Sequence, residues 1–173
     1  LMPRLTNDRR AVVEARIGLM KNAKNIDKLV NAVPAPYTDD PGLLYERARW
    51  NERKGRQTEE LNLLLRINGE GAPAAGREDI WSEKQSVMRR MLREKNYATA
   101  YQLAAGHGLT SGEAFRDAEW MAGWLALTKL NDAVRAEAHF RTFAGGVQTP
   151  ISISRAQYWL GEALKAQGKP DDA

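Results

Sequence analysis

Turn residues recur along this chain at a spacing that strongly limits how it can fold. A glycine or asparagine typical of a turn stands at Gly55, Asn96, Asn131 and Gly168, at intervals of 35 to 41 residues. Such periods are typical of α-solenoids, whose repeats are helix pairs that bury their apolar faces only against their neighbours. We therefore predict an all-α chain, an α-α superhelix (solenoid) of irregular tetratricopeptide-like helix pairs.

Apolar side chains also recur with helical periodicity. Trp120, Gly123 and Trp124 stand at positions i, i+3 and i+4 of one predicted helix. No segment as long as the predicted helices alternates between apolar and polar residues as a half-buried strand does. We predict about nine helices, a glycine- and alanine-rich loop over residues 69–76, and a further helix that begins at Pro170.

Aromatic side chains and one glycine are predicted to pack the helix pairs together. All five tryptophans lie on predicted helices, and a buried aromatic ring brings a large apolar area to a helix seam. We expect Trp120 and Trp124, one turn apart, to be buried. The residues predicted to pack the repeats are Trp81, Trp120, Gly123, Trp124, Phe140 and Trp159.

The sequence around Trp50 is the candidate for a binding surface. Its neighbours Arg49, Asn51 and Arg53 are polar, and an exposed aromatic face can stack on a sugar ring. Arg49, Trp50 and Arg53 are therefore predicted to form a glycan or partner surface. The alternative is a solvated helix end, where cations favour the helix dipole.

Composition excludes several other classes of function. The net charge of +4 arises from 26 basic and 22 acidic residues that are mixed along the chain, whereas a dedicated nucleic-acid binder concentrates its cations on one face. No apolar run approaches the roughly 18 residues of a membrane span. There is no cysteine, and His107 and His139 lack the spacing of a metal site. We predict no metal, cofactor, nucleic acid or membrane span.

No pattern of residues typical of an active site is present. The sequence has neither a phosphate-binding glycine loop nor a Gly-x-Ser-x-Gly nucleophile elbow. Carboxylates lie on polar helix faces or at helix starts, where the dipole explains them. Glu119, beside Trp120, is the one acid whose surroundings could raise its pKa, although an ion pair with a neighbouring helix is the favoured explanation. No catalytic residue is predicted.

Several segments together resemble one family. The motifs Ala-Tyr…His-Gly, Ala-Glu-Trp…Gly-Trp and Ser-Arg-Ala-x-Tyr-Trp follow one another in that order. From about Leu43 to its end the chain resembles the superhelical region of soluble lytic murein transglycosylases. The segments that carry the resemblance are residues 44–56, 100–109, 117–127, 139–140 and 149–161.

The resemblance implies a periplasmic enzyme that cleaves the β-1,4 bond between N-acetylmuramic acid and N-acetylglucosamine and forms a 1,6-anhydro product. In that family a separate C-terminal lysozyme-like domain performs the reaction, with a Glu-Ser pair and a Gly-Leu-Met-Gln segment. No glutamate of this chain precedes a serine, and Lys21 replaces the glutamine in Gly18-Leu-Met-Lys21. The resemblance therefore assigns no catalytic residue here.

The expected function is the scaffold part of a periplasmic soluble lytic transglycosylase, which acts in peptidoglycan cleavage and turnover. We expect residues 1–173 to be a fragment of one α-superhelical domain, truncated at both ends and without the catalytic domain. The expected partners are that C-terminal catalytic domain and peptidoglycan glycan strands. Two alternatives stay open: a tetratricopeptide-like protein–protein interaction module unrelated to murein, and a self-contained enzyme that uses an unrecognised carboxylate pair.

Overall fold

The computed structural model describes residues 6–67 and 74–169, and this part of the chain is all-α. It contains nine α-helices and one short 3-10 helix, and no strand occurs among the described residues. The predicted all-α class is confirmed. No helix in these two ranges is long and apolar enough to cross a membrane.

The chain divides into two compact units, and the boundary between them lies between Ile80 and Trp81. In the first unit α1 packs on α2 and α3, and α3 packs on α4. Its apolar core includes Val12, Ala15 and Leu43. The elements are α1 (Asn7–Met20), α2 (Ile26–Asn31), the 3-10 helix (Ala35–Tyr37), α3 (Pro41–Arg53), α4 (Gln57–Arg66) and α5 (Ala74–Arg93), which contains the division.

In the second unit each helix from α6 onward packs on the next one along the chain. The small residues Ala126, Ala136 and Ala163 form a core cluster with Phe140, and all four are fully buried. Small side chains let the helix backbones approach closely around one large ring. The helices are α6 (Tyr97–Ala105), α7 (Gly112–Lys129), α8 (Ala133–Gly145) and α9 (Pro150–Ala166).

Five helix ends share one geometry. Each is followed by a residue in the left-handed region, with φ between 51° and 74°, and the next N–H donates to a carbonyl of the last helical turn at 2.9–3.0 Å. This closure satisfies carbonyls that would otherwise lack a partner, and it reverses the chain. The five left-handed residues are Asn22, Gly55, Lys95, Asn131 and Gly168.

One predicted turn residue has a different role from the one expected. Lys95, not Asn96, adopts the left-handed conformation. Asn96 instead caps α6, because its side-chain oxygen accepts the backbone N–H of Thr99 at 3.3 Å. Asp132 does the same for α8, accepting the N–H of Arg135 at 3.0 Å directly after the left-handed Asn131. At both turns only two residues therefore separate the end of one helix from the cap of the next.

The predicted loop is wrong at its C-terminal end. Residues 74–76 belong to α5, which begins at Ala74, and alanine has the highest intrinsic helix propensity. The rest of the predicted loop, and the helix expected from Pro170, lie outside the described residues.

The predicted packing residues differ in burial. Trp81 and Phe140 are buried, whereas Trp120, Trp124 and Trp159 are only partly buried. The expectation that both Trp120 and Trp124 are buried is therefore wrong. Trp120 and Trp159 pack against the core cluster of the second unit, and Trp124 stacks on Trp120 with ring centres 6.4 Å apart.

At Gly123 the backbone of α7 lies directly against the ring of Phe140 on α8. A Cβ atom at this position would lie 2.6–2.9 Å from three ring atoms of Phe140, closer than real Cβ contacts. Phe140 is fully buried, so its ring has little room to move away. The contact requires glycine at 123 for as long as phenylalanine stands at 140.

We expect Gly123→Ala to lower the free energy of unfolding by about 1–3 kcal/mol, because the added methyl group overpacks the seam. Urea denaturation followed by circular dichroism measures the change. Gly145→Ala is the matched control: it lies at the end of α8, and no atom lies within 4 Å of the place that an added methyl group would occupy. This control should leave stability unchanged or slightly raised. Equal stability of the two variants would contradict the tight contact.

Candidate functional site

A buried glutamate on α7 joins two histidines that are distant in sequence. Glu119 is 8% exposed. Its Oε1 lies 3.1 Å from Nε2 of His107, and its Oε2 lies 2.7 Å from Nδ1 of His139. The two histidines come from the loop after α6 and from α8, so one carboxylate connects three parts of the second unit.

Further hydrogen bonds fix the protonation pattern of both rings. The backbone N–H of Leu109 donates to Nδ1 of His107 at 2.9 Å, so a neutral His107 carries its proton on Nε2 and donates it to Glu119. His139 faces Glu119 through Nδ1, and its Nε2 lies 3.0 Å from the hydroxyl of Tyr101. In a neutral ring Nδ1–H donates to the carboxylate and Nε2 accepts from Tyr101. The four side chains thus form one continuous network.

Aromatic rings enclose this network. The His107 ring makes edge contacts with Trp81 and Phe115, with centres 6.1 Å and 5.7 Å apart. The His139 ring makes a similar contact with Tyr101 at 5.7 Å. Apolar surroundings strengthen hydrogen bonds and make an unpaired polar group costly. The network must therefore be fully paired to stabilise the unit.

A buried lysine holds the same loop from α5. Lys84 is 1% exposed, and its Nζ donates to the carbonyl oxygen of Gly106. Burial lowers the pKa of Lys84 to about 8. The loop after α6 is thus bound to α5 through Gly106 and to α7 through His107.

The pKa of Glu119 is lowered, not raised as its position beside Trp120 suggested. Burial alone would raise the pKa of this carboxyl. The hydrogen bonds from His107 and His139 lower the pKa by more than burial raises it, and positive charge on either ring also lowers it. The resulting pKa is about 2. The expected contact with a neighbouring helix is present as the hydrogen bond with His139 of α8, and whether it is an ion pair stays a prediction.

The geometry orients side chains and does not activate them. Both oxygens of Glu119 and all four ring nitrogens of the histidines are engaged within the chain. Burial raises the pKa of Tyr101, so its phenol keeps its proton at neutral pH. Among the described residues no group of three His, Cys, Asp or Glu could hold a metal ion. The arrangement ties α6, its following loop, α7 and α8 together.

The predicted glycan or partner surface lies in the first unit. Trp50 is partly buried, and its Nε1 donates to Oδ1 of Asn22 at 3.0 Å. Arg53 donates to the backbone oxygen of Leu19 at 2.9 Å, so it caps the end of α1. Arg49 is exposed, with its guanidinium 5.8 Å from the centre of the Tyr45 ring. Trp50 and Arg53 thus both contact the end of α1, by different bonds.

Tyr101 and Lys84 were not predicted as part of a site, and the sequence analysis did not link Glu119 to the two histidines. The network of Tyr101, His107, Glu119 and His139 spans up to 38 residues, and no spacing rule links positions so far apart. Lys84 did carry a signal: it follows Trp81 by three residues and precedes Val87 by three, on the apolar stripe of α5. A lone charge on such a stripe indicates a buried, hydrogen-bonded group.

In comparisons with known proteins, no protein-family model, no curated protein and no solved structure matches the chain.

We expect Glu119→Gln to lower the free energy of unfolding by about 1–3 kcal/mol at pH 7, because the new amide N–H₂ meets a ring N–H where a carboxylate accepted it. Denaturant unfolding measures this. Asp117→Asn is the control, an exposed acid on the same helix, and it should change stability by less than about 0.5 kcal/mol.

The cost of Glu119→Gln should also depend on pH. The pKa of Glu119 is lower in the folded state than the ordinary value of 4.5. The ionised carboxylate therefore contributes fully to the free energy of unfolding above pH 4.5, and this contribution is lost as the pH falls towards 2. The stability difference between the natural chain and the variant should narrow across that window. A difference that stays constant from about pH 5 to about pH 2.5 would contradict the assignment.

Proposed function

We propose that the chain is the non-catalytic scaffold region of a periplasmic soluble lytic transglycosylase, which acts in peptidoglycan cleavage and turnover. In this proposal the helix pairs belong to an irregular tetratricopeptide-like superhelix. A lysozyme-like domain of the same protein, carrying the Glu-Ser pair, performs the reaction. The present chain positions that domain and contacts glycan strands.

One observation carries the proposal. Polar residues of three segments on which the resemblance rests meet in a single network, with His107 and Glu119 buried and Tyr101 and His139 partly buried. Tyr101 and His107 come from residues 100–109, Glu119 from residues 117–127 and His139 from residues 139–140. In a scaffold, the distinctive residues of a motif are expected where helices are held together. This is the arrangement expected of a scaffold signature, and it supports the resemblance beyond matching letters.

The helix geometry supports the superhelical part of the proposal. The left-handed closures recur after α1, α3, α5, α7 and α9, so every second α-helix ends in the same way. A helix pair per repeat is the expected unit of an α-solenoid.

The alternative function is a tetratricopeptide-like protein–protein interaction module unrelated to murein. The observation that favours it is the seam of the second unit, where Ala136 and Phe140 have the spacing of that repeat and are both fully buried. That packing fits either function, whereas the network residues belong to the motifs of the transglycosylase resemblance.

Incubation with purified murein tests the proposal. The isolated chain should release no 1,6-anhydromuropeptides, measured by mass spectrometry, because the proposal assigns that chemistry to another domain. An active lytic transglycosylase serves as the positive control. A 1,6-anhydro product that a single carboxylate substitution in this chain abolishes would overturn the scaffold role and favour a self-contained enzyme.

Two further measurements separate the scaffold from the interaction module. The scaffold should co-sediment with murein at low ionic strength and be released as salt rises, since exposed charge pairs are weak and screened. The reading frame of its gene should also encode a Glu-Ser and a Gly-Leu-Met-Gln segment. A chain that neither binds murein nor shares a reading frame with those motifs is the interaction module.

A further inference from the structure

The first unit contains a cleft of about 390 Å³. Its volume falls in the range of small-ligand sites. Residues from the end of α1, from α2, from α3 and from α4 line it. They comprise three arginines, Arg47, Arg56 and Arg66, together with Trp50, three asparagines, two acids and an apolar floor.

Arg47 is a partly buried cation of the cleft. The guanidinium of Arg47 forms no ion pair and donates no hydrogen bond to any side chain or backbone group that the structure describes. Burial, and then the nearby charge of Arg66, lower the pKa of Arg47, and the charge of Asp39 opposes them only in part. Arg66 is itself paired with Asp39. A partly desolvated guanidinium beside a second one is stabilised by an incoming anion.

The Trp50 ring forms a rigid wall beside these cations. Its bond to Asn22, which is held in the left-handed conformation, fixes the ring. The guanidinium of Arg56 lies 5.0 Å from the ring centre. A guanidinium held against an aromatic face loses less freedom when it binds a carboxylate.

The remaining lining residues show which anion fits. Leu19, Ile26 and Leu63 are buried and form an apolar floor together with Val30. The side-chain amides of the cleft can donate to and accept from peptide groups. These amides belong to Asn31 and Asn62; Asn51 also lines the cleft, and its amide donates to the backbone oxygen of Arg47 at 2.8 Å.

Charge in the cleft limits the ligand further. Asp27 and Glu59 also line it, so three arginines face two carboxylates. That balance disfavours polyanions such as nucleic acids, and it suits a single carboxylate flanked by neutral amides.

We propose that this cleft binds the C-terminal end of a peptide, with the free carboxylate on Arg47 and Arg56 and the last side chain on the apolar floor. An arginine fork matches a carboxylate in geometry as well as charge. The cleft lies in the first unit, and this inference goes beyond the proposed scaffold function without resting on it.

Calorimetric titration of the full chain tests the inference. The probe is acetyl-Ala-Ala-Leu with a free carboxylate, and its C-terminal amide is the matched control ligand. The acid should bind saturably, and the amide at least about tenfold more weakly, since only the acid pairs with both guanidinium groups. Acetyl-Ala-Ala-Asp should also bind more weakly than the leucine peptide, because its second carboxylate meets Asp27 and Glu59.

Variants locate the site. Arg47→Met should weaken binding of the leucine peptide at least about tenfold, and Arg47→Lys should weaken it less, since lysine keeps the charge and loses the fork. Arg9→Met, an exposed position on α1 outside the cleft, should leave binding unchanged. Arg47→Met should keep its helical circular dichroism and unfold at an equal or higher temperature, because it removes an unpaired, partly buried cation.

Several outcomes overturn the inference: no binding of the acid peptide, equal binding of acid and amide, or equal loss in Arg47→Met and Arg9→Met. Complete displacement by inorganic phosphate at equal concentration would reassign the cleft to simple anions. None of these outcomes bears on the murein assays. Failure of the peptide site and failure of the scaffold function are therefore read separately.

Discussion

The need to satisfy carbonyl groups at helix ends governs how this chain is built. Each of the five closures gives carbonyls of the last helical turn their partners within three residues of the helix end, by way of one left-handed residue. The chain must then reverse at once. Where the cap of the next helix follows directly, as at Asn96 and Asp132, the turn itself sets where the next helix begins.

Glu119 has the complementary role of joining what the turns leave separate. Turns set neighbours in sequence, whereas this carboxylate binds a loop histidine and a histidine on the following helix. A buried carboxylate is costly unless its hydrogen bonds are complete. Correct placement of the loop, α7 and α8 is therefore a condition for burying it at all. Such a network favours one arrangement of the helices more than it adds net stability.

Local signals were predictable from sequence, and long-range ones were not. Asp132 and Thr149 cap helices as their residue types suggest, and Gly55 and Gly168 close helices as glycine should. Lys95 was missed because a neighbouring asparagine is the better left-handed residue by type, yet here its side chain is used as a cap. The His107–Glu119–His139 network needs tertiary placement that no periodicity encodes. Trp50 was singled out for its polar neighbours, but the sequence did not link it to Arg47 and Arg66 across a cleft.

The contact between Gly123 and Phe140 has a consequence for how this chain can evolve. Because the ring occupies the space that any side chain at 123 would need, the cost of a substitution at 123 depends on which residue stands at 140. A larger residue at 123 becomes tolerable once 140 has become smaller, and the reverse order passes through an overpacked seam. In descendants of this sequence the two sites should therefore covary, and the history of substitutions at one should depend on the state of the other.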